Sequence, residues 1–197
     1  IYQTGNLVSA HWRARLSEHL GTYNCELLQP NAAMLMSERL PLLALTSAAA
    51  LVERLLPERE PHPDTFASLS ALIEILEADE NWLPRYVEWE LGLLNQLGYG
   101  LDLTECAATG STDDLVFVSP RTGCAVSAGA GAPYQEKLFD LPTFFMTSDP
   151  APMSEDIDMG LRITGHFLAR CAKDADAGDL PTSRARFVDR VARGARD

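Results

Sequence analysis

Two cysteines in the middle of the chain have the residue type of a metal site but not its spacing. Cys106 begins a Cys-Ala-Ala-Thr run that ends at Thr109, and Cys124 stands alone further along the chain. Structural zinc needs four ligands that close its coordination shell, and the segment 103–135 contains no histidine. We therefore expect no metal and no other cofactor here. The knuckle-like segment would be held by its turns and packing instead.

No catalytic constellation stands out. The four histidines fall in different predicted elements, and there is no Gly-x-Ser-x-Gly motif. Gly129-Ala-Gly131 lacks the Lys-Ser or Lys-Thr that completes a phosphate-binding loop. The acid pair Asp113-Asp114 leaves open a small hydrolase that uses these acids with a histidine, but its turn position explains both acids without catalysis. The sequence predicts a protein that is not an enzyme.

Charge is the remaining source of chemistry. The net charge of −12 argues against a nucleic-acid footprint over the whole surface. Residues 181–197, however, hold five arginines and only two aspartates. We predict DNA-phosphate contacts from two groups of arginines: Arg13 and Arg15 near the start, and Arg184, Arg186 and Arg190 near the end.

Each group of arginines has a simpler explanation. Arg13 and Arg15 alternate with apolar residues, so they also fit an ordinary solvated strand face. Basic residues are favoured at a helix C-terminus, which would account for Arg190. Arg184 and Arg186 lie near the predicted N-terminus of that helix, against this preference, and this favours binding.

The elements that position these residues begin with a β-hairpin. Residues 7–16 alternate between apolar and polar, and a second alternating stretch follows Gly21 through Tyr23, Cys25 and Leu27. An isolated hairpin is not stable in water. We expect it to dock on helices, or to be the end of a β-domain.

After the hairpin, the apolar residues recur every three or four positions, which is typical of helices. We expect three helices, capped at their N-termini by Ser37, Asp64 and Asn81. An apolar stripe of Phe66, Leu69, Ile73 and Leu76 belongs to the second helix, and the third ends at Gly98. The third helix carries the aromatic stripe Trp82, Tyr86 and Trp89, followed by Leu93. This stripe fits the core best, and alternatively borders a groove for an apolar peptide tail.

Residues 103–135 interrupt the helices with two short strands, 115–119 and 125–127, joined by the turn Pro120–Gly123. Two further helices follow, one after Ser154 and one after Thr182 or Ser183. The fold class is therefore mainly α, with a small β-containing excursion and a terminal β-hairpin.

The four dispersed cysteines are typical of a reducing cytoplasm and not of a disulfide scaffold. The longest apolar stretch, residues 40–52, is too short to span a bilayer. We expect a cytoplasmic protein without a membrane partner.

Several segments of this chain resemble one known family. They are Trp89–Leu103, with its Leu-Gly-Tyr-Gly-Leu-Asp-Leu ending ahead of Cys106, and the runs Val118-Ser-Pro-Arg-Thr-Gly123, Gly131-Ala-Pro-Tyr134 and Leu180-Pro-Thr-Ser-Arg184. They are similar to the RecO family of DNA repair proteins in its alphaproteobacterial form. The likeness covers nearly the whole chain.

The resemblance implies an N-terminal OB-fold, a helical domain and a zinc-ribbon-like excursion that often lacks its metal. Residues 1–30 would be the C-terminal strands of the OB-fold. Residues 31–197 would be the helical domain, with a degenerate zinc-ribbon-like insertion at about 103–135. This division implies that the chain begins inside the barrel.

The resemblance also implies a DNA recombination mediator of the RecF pathway, located in the bacterial cytoplasm at the nucleoid. It would bind single- and double-stranded DNA, anneal strands, join RecR, and engage the acidic C-terminal tail of single-stranded DNA-binding protein (SSB), so that RecA can load. The groove for this tail would involve Arg85, Tyr86, Trp89 and Leu93. Val87 and Glu88 stand where some members carry basic residues, which weakens the case for Arg85.

A helical protein-interaction adaptor without DNA affinity is the alternative function. The net charge of −12 favours it. Salt-dependent binding of single-stranded DNA distinguishes the two functions, because only contacts with phosphates release counterions.

Overall fold

The computed structural model describes residues 2–16, 20–147 and 152–194, and these residues form five strands and seven α-helices. The strands are β1 (Leu7–Arg13), β2 (Thr22–Gln29), β3 (Leu115–Val118), β4 (Ala125–Ser127) and β5 (Phe139–Asp140). The helices are α1 (Asn31–Met34), α2 (Arg39–Leu55), α3 (Pro63–Ala78), α4 (Leu83–Gln96), α5 (Ala128–Gly131), α6 (Ser154–Asp174) and α7 (Thr182–Gly194). Short 3-10 turns occupy Leu35–Ser37, Ala132–Lys137 and Thr143–Phe145. The mainly α fold class is confirmed.

The long helices pack their apolar stripes into one core. α2 packs against α7, and α4 packs against α6. Gly160 of α6 lets the second pair approach closely, because a Cβ there would lie 2.8 Å from Cγ1 of Val87. The predicted inward residues of α6 are all buried: Ile157, Leu161, Leu168 and Cys171. Phe66 was predicted on the apolar stripe of α3 but is 62% exposed, so that part of the prediction is wrong.

The helix starts differ from the predicted caps. The N-cap residues of α2, α3 and α4 are Glu38, His62 and Trp82, and none of the three makes a side-chain capping bond. Ser37 instead ends a 3-10 turn, while proline in the first turn of α3 and of α4 supplies a backbone already set for the helix. The predicted stop of α4 is confirmed: Gly98 has φ of 80°.

The predicted β-hairpin is confirmed as the antiparallel pair β1–β2. Trp12 pairs with Tyr23, Ala10 with Cys25 and Val8 with Leu27. Its base is tied to α1, since Asn31 Nδ2 donates to the Gly5 carbonyl over 2.9 Å. The apolar face is largely uncovered, with Trp12 44% and Tyr23 66% exposed.

The excursion after α4 forms a three-stranded antiparallel sheet in the order β4-β3-β5. The predicted turn between β3 and β4 is present, and Gly123 adopts φ of 77° in it. Two α6 side chains hold this turn: His166 Nε2 lies 2.9 Å from the Pro120 carbonyl oxygen, and Arg170 donates to the Arg121 carbonyl oxygen over 2.7 Å. The excursion therefore has a fixed attachment to the helical core.

Candidate nucleic-acid interface

The exposed face of α7 carries an arginine row. Arg186, Arg190 and Arg193 are all exposed, and their spacing of four and three residues places them on one side of the helix. Within the described part of the chain, none of the three forms an ion pair. Asp189 is the acidic residue on the same face. The opposite face is apolar, with Phe187 fully buried, so the helix is anchored with its arginines directed to solvent.

Arg184 does not belong to this row. We expected it to be exposed and to meet DNA, and that expectation is wrong: the residue is only 7% exposed. Its Nε and NH2 each donate to one oxygen of the Glu90 carboxylate over 2.8 Å. NH2 also donates to the Leu161 carbonyl oxygen at 2.9 Å and to Thr164 Oγ1 at 3.1 Å. The guanidinium donors of Arg184 are therefore used inside the core and are not directed to solvent.

The Glu90–Arg184 pair joins three helices. Glu90 comes from α4 and is fully buried, while Thr164 of α6 donates its hydroxyl to the same carboxylate. Gly165 leaves room for the guanidinium, because a Cβ there would lie 2.6 Å from NH1 of Arg184. Burial lowers the pKa of Arg184, but the charge of Glu90 and the hydrogen bond to it outweigh burial and leave that pKa raised. The pair locks α7 onto α4.

The predicted tail groove is not present at its predicted residues. Three of them are core side chains: Tyr86 is fully buried, Trp89 is 7% exposed and Leu93 is 2% exposed. The Tyr86 hydroxyl donates to Ser47 Oγ over 2.8 Å, inside the core. Burial, first of all, raises the pKa of Tyr86 well above its usual value. The groove alternative for these aromatics is wrong, because the stripe packs against neighbouring helices.

Arg85 is the exposed member of that predicted groove. Its NH1 lies 2.8 Å from Glu88 Oε2, within an exposed ion pair. The hydrogen bond to Glu88, and then the charge of Glu88, raise the pKa of Arg85. A partner's carboxylate would compete with Glu88 for this guanidinium.

The hairpin arginines lie on a separate element. Arg13 is the last residue of β1 and pairs in register with Thr22. Arg15 follows β1, and both arginine side chains are exposed. They share no hydrogen bond or ion pair with α7 among the described residues. The two predicted arginine groups therefore remain two distinct surfaces.

Sequence reasoning missed the role of Glu90, although a signal was present. Glu90 follows Tyr86 by four residues, which places a carboxylate on the inward stripe of α4. A buried carboxylate needs a cation or several hydrogen bonds. The spacing of Tyr86 and Glu90 could have predicted a buried partner for the Glu90 carboxylate, but not which residue supplies it.

Cys106 is the best-defined polar group of the excursion. Its side chain is buried, and its Sγ accepts hydrogen bonds from the Ser127 backbone nitrogen at 3.2 Å and from Ser127 Oγ at 3.3 Å. The bond from the Ser127 hydroxyl is the main cause that lowers the pKa of Cys106 to about 6. Among the residues that the structure describes, no three His, Cys, Asp or Glu side chains are grouped to hold a metal ion. That no zinc binds stays a prediction.

The described helices also include none that is long and apolar enough to cross a membrane. The fold and these surfaces define a class of protein: a mainly helical domain with a small β-excursion and an exposed arginine row.

Comparison with known proteins gives the family. Residues 36–173 match the model of the recombination protein O C-terminal domain. A DNA repair protein RecO of Rhodospirillum centenum is 48% identical over 192 residues, which is 96% of this chain and 76% of the relative. The RecO of Caulobacter vibrioides strain NA1000 is 46% identical over 190 residues, 96% of this chain and 78% of the relative. No solved structure matches the chain significantly. The chain belongs to the RecO family of DNA repair proteins, as the resemblance predicted.

Proposed function

We propose that this chain is a DNA repair and recombination mediator that acts by binding and not by catalysis. It binds single- and double-stranded DNA, anneals complementary strands and, together with RecR, helps RecA to load onto single strands coated with SSB. It does so in the bacterial cytoplasm, at the nucleoid. The observation that carries the proposal is the exposed arginine row of α7 in a chain whose relatives are named DNA repair proteins.

The spacing of the α7 row suits a phosphate backbone. Arg186 and Arg190 are four residues apart, which is a rise of about 6 Å along a helix. That is near two base-pair steps of about 3.4 Å along the axis of a DNA duplex. Phe187 and Val191 are buried and anchor α7, so the backbone that carries Arg186 and Arg190 is held in place. Arg184 is not part of this contact, because the core uses its guanidinium.

Annealing follows from charge neutralisation. Two complementary strands repel one another until cations screen their phosphates. The α7 row and the hairpin residues Arg13 and Arg15 lie on different elements, so we propose that each surface holds part of a strand. Both surfaces act locally, against a net charge of −12.

The partner tail remains a proposal that rests on Arg85. An acidic tail would bind this exposed guanidinium beside Glu88 or in its place. Tyr86, Trp89 and Leu93 would support that helix from inside the core and would not touch the tail.

The adaptor function without DNA affinity stays as the second candidate. The net charge of −12 and the withdrawal of Arg184 into the core favour it. In that case the α7 row would be a solvated helix face.

An annealing assay tests the proposal. Two complementary labelled strands are mixed with the chain, and duplex formation is followed for the unsubstituted protein and for Arg186→Ala/Arg190→Ala. We expect acceleration by the first and a clear loss with the second. An Arg54→Ala variant, which removes an exposed arginine of α2 that donates to the Ala177 carbonyl oxygen, is the control. No acceleration by the unsubstituted chain would favour the adaptor.

A further inference from the structure

The solvent face of α6 carries a second basic row that the sequence reading did not single out. Arg162, His166, Arg170 and Lys173 are all exposed there. Arg162, His166 and Arg170 follow one another at four-residue steps, and Lys173 is three residues further on. A helix brings such positions onto one side. We call this surface, together with Arg121, the α6 stripe.

Arg121 joins the stripe because α6 holds its backbone. A carbonyl oxygen only accepts hydrogen bonds, so His166 Nε2 donates to that of Pro120 at 2.9 Å. Arg170 donates to the Arg121 carbonyl oxygen at 2.7 Å. The His166 ring also packs edge-on against Phe139, with centroids 5.4 Å apart. Two α6 side chains therefore hold the turn, which fixes the backbone of the exposed Arg121 beside the helix.

The stripe keeps most of its positive charge. Within the described part of the chain, Arg121, Arg162 and Lys173 form no ion pair. Arg170 lies 3.9 Å from Asp174, a long and exposed contact that neutralises it only weakly. Asp158, one turn before Arg162, is the acid at the other end of the row. The stripe is therefore a cationic surface on a strongly acidic protein.

We propose that the α6 stripe binds the phosphate backbone of a single DNA strand, as a second contact besides the α7 row. The permanently charged Arg162 and Arg170 lie eight residues apart, about 12 Å along the helix, and Lys173 follows about 4.5 Å further on. This inference rests on the DNA-binding part of the proposed function and adds a site to it.

The surroundings of the stripe favour DNA over an acidic peptide. A peptide tail of mixed chemistry needs an apolar pocket for its anchor side chain. In the described residues of α6, no large hydrophobic side chain is exposed. A repeating polyanion needs only a row of exposed cations, which the stripe provides.

The test removes Arg162 and Lys173, whose side chains form no hydrogen bond or ion pair among the residues that the structure describes. Arg162→Ala/Lys173→Ala leaves His166 and Arg170 to clamp the turn, and alanine favours the helix. Binding of a labelled single-stranded oligonucleotide is measured at several salt concentrations. Each lost phosphate contact removes about 0.7 from the slope of log K against log salt, so we expect a loss of about 1.4. Between about 50 and 200 mM salt, this is about a 7-fold smaller drop in affinity.

The matched control is Arg59→Asn/Lys137→Ala, which removes the same charge from exposed positions elsewhere. Asparagine is chosen because Arg59 has φ of 65°, a region that asparagine tolerates. The control should keep the unsubstituted slope. Far-ultraviolet circular dichroism checks the helices, and Arg162→Gln/Lys173→Gln replaces the alanine pair if its helicity falls.

The outcomes separate this inference from the proposed function. A slope that falls in the α6 pair but not in the control supports the stripe. An unchanged slope in the α6 pair, with a reduced slope in Arg186→Ala/Arg190→Ala, overturns the stripe and leaves the proposed function standing. An equal fall in the control also overturns it, because the slope would then report total charge. Absence of salt-dependent binding by the unsubstituted chain overturns both.

Discussion

Replacing Arg184 with methionine is the substitution from which we expect the largest loss of stability. Methionine keeps a long apolar stem but has no cation. The Glu90 carboxylate would then lose both 2.8 Å bonds while remaining fully buried. Thr164 would still donate to it, yet one hydroxyl does not replace a guanidinium.

The expected magnitude follows from the geometry of the pair. Removing one partner of a buried ion pair costs about 3–5 kcal/mol, because the other charge is left without compensation. Small proteins unfold in urea with a slope of about 1–3 kcal/mol per molar. A loss of about 4 kcal/mol at a slope of about 2 lowers the midpoint by about 2 M. A loss of about 4 kcal/mol is a large share of the roughly 5–15 kcal/mol by which a folded domain is stable.

Urea unfolding followed by tryptophan fluorescence is the assay. Trp82 stacks on Phe187 of α7 with ring centroids 6.1 Å apart, so the signal reports the docking of that helix. Glu90→Leu/Arg184→Met removes both charges and should recover more than half of the loss, since a buried apolar pair costs little. Arg186→Met, on the exposed face of α7, is the matched control and should leave the midpoint almost unchanged. If Arg184→Met lies within about 1 kcal/mol of the unsubstituted protein, the pair does not hold α7.

Three further predictions concern the core and the excursion. The pKa of Cys106 is lowered to about 6, so its thiolate contributes stability that is fully present above the ordinary value of 9.0 and is lost as pH falls through about 6. The ultraviolet absorbance of the thiolate should titrate near pH 6, and this signal should vanish in Cys106→Ala. A titration that does not differ between the two proteins would contradict this prediction. Tyr86→Phe leaves the Ser47 hydroxyl unpaired and should cost about 1–3 kcal/mol in urea unfolding without changing DNA affinity; a change in affinity would place Tyr86 in a binding surface after all. Gly165→Ala should destabilise by displacing the Arg184 guanidinium, and little effect in urea unfolding would show that this space is not needed.

The sequence predicts those features of the fold that depend on local periodicity. Alternation over residues 7–16 predicts β1, and the structure has β1 at Leu7–Arg13. The stop of α4 at Gly98 is also predicted, because few residues other than glycine adopt its φ of 80° readily. The caps are missed because the helices begin at prolines and a 3-10 turn, which need no capping side chain.

The candidate site is harder to predict, because its decisive contacts are not local. Arg184 and Glu90 are 94 residues apart, and periodicity identifies a face without identifying what meets it. From the sequence alone, Arg184 therefore cannot be distinguished from the other arginines of α7, whereas the structure shows that it is buried in the core. The α6 stripe depends in the same way on a turn more than 40 residues away in sequence, at Pro120 and Arg121.

The salt dependence of single-stranded DNA binding shows whether α7 contacts phosphates. The unsubstituted chain and Arg186→Ala/Arg190→Ala are titrated against the same labelled oligonucleotide at several salt concentrations, with Arg184 left in place so that the fold is kept. We expect log K to fall with log salt for the unsubstituted chain. The slope should be smaller by about 1.4 in the variant, because two contacts at about 0.7 each are lost. A folded variant with the same affinity and the same slope would contradict a DNA-binding role for α7.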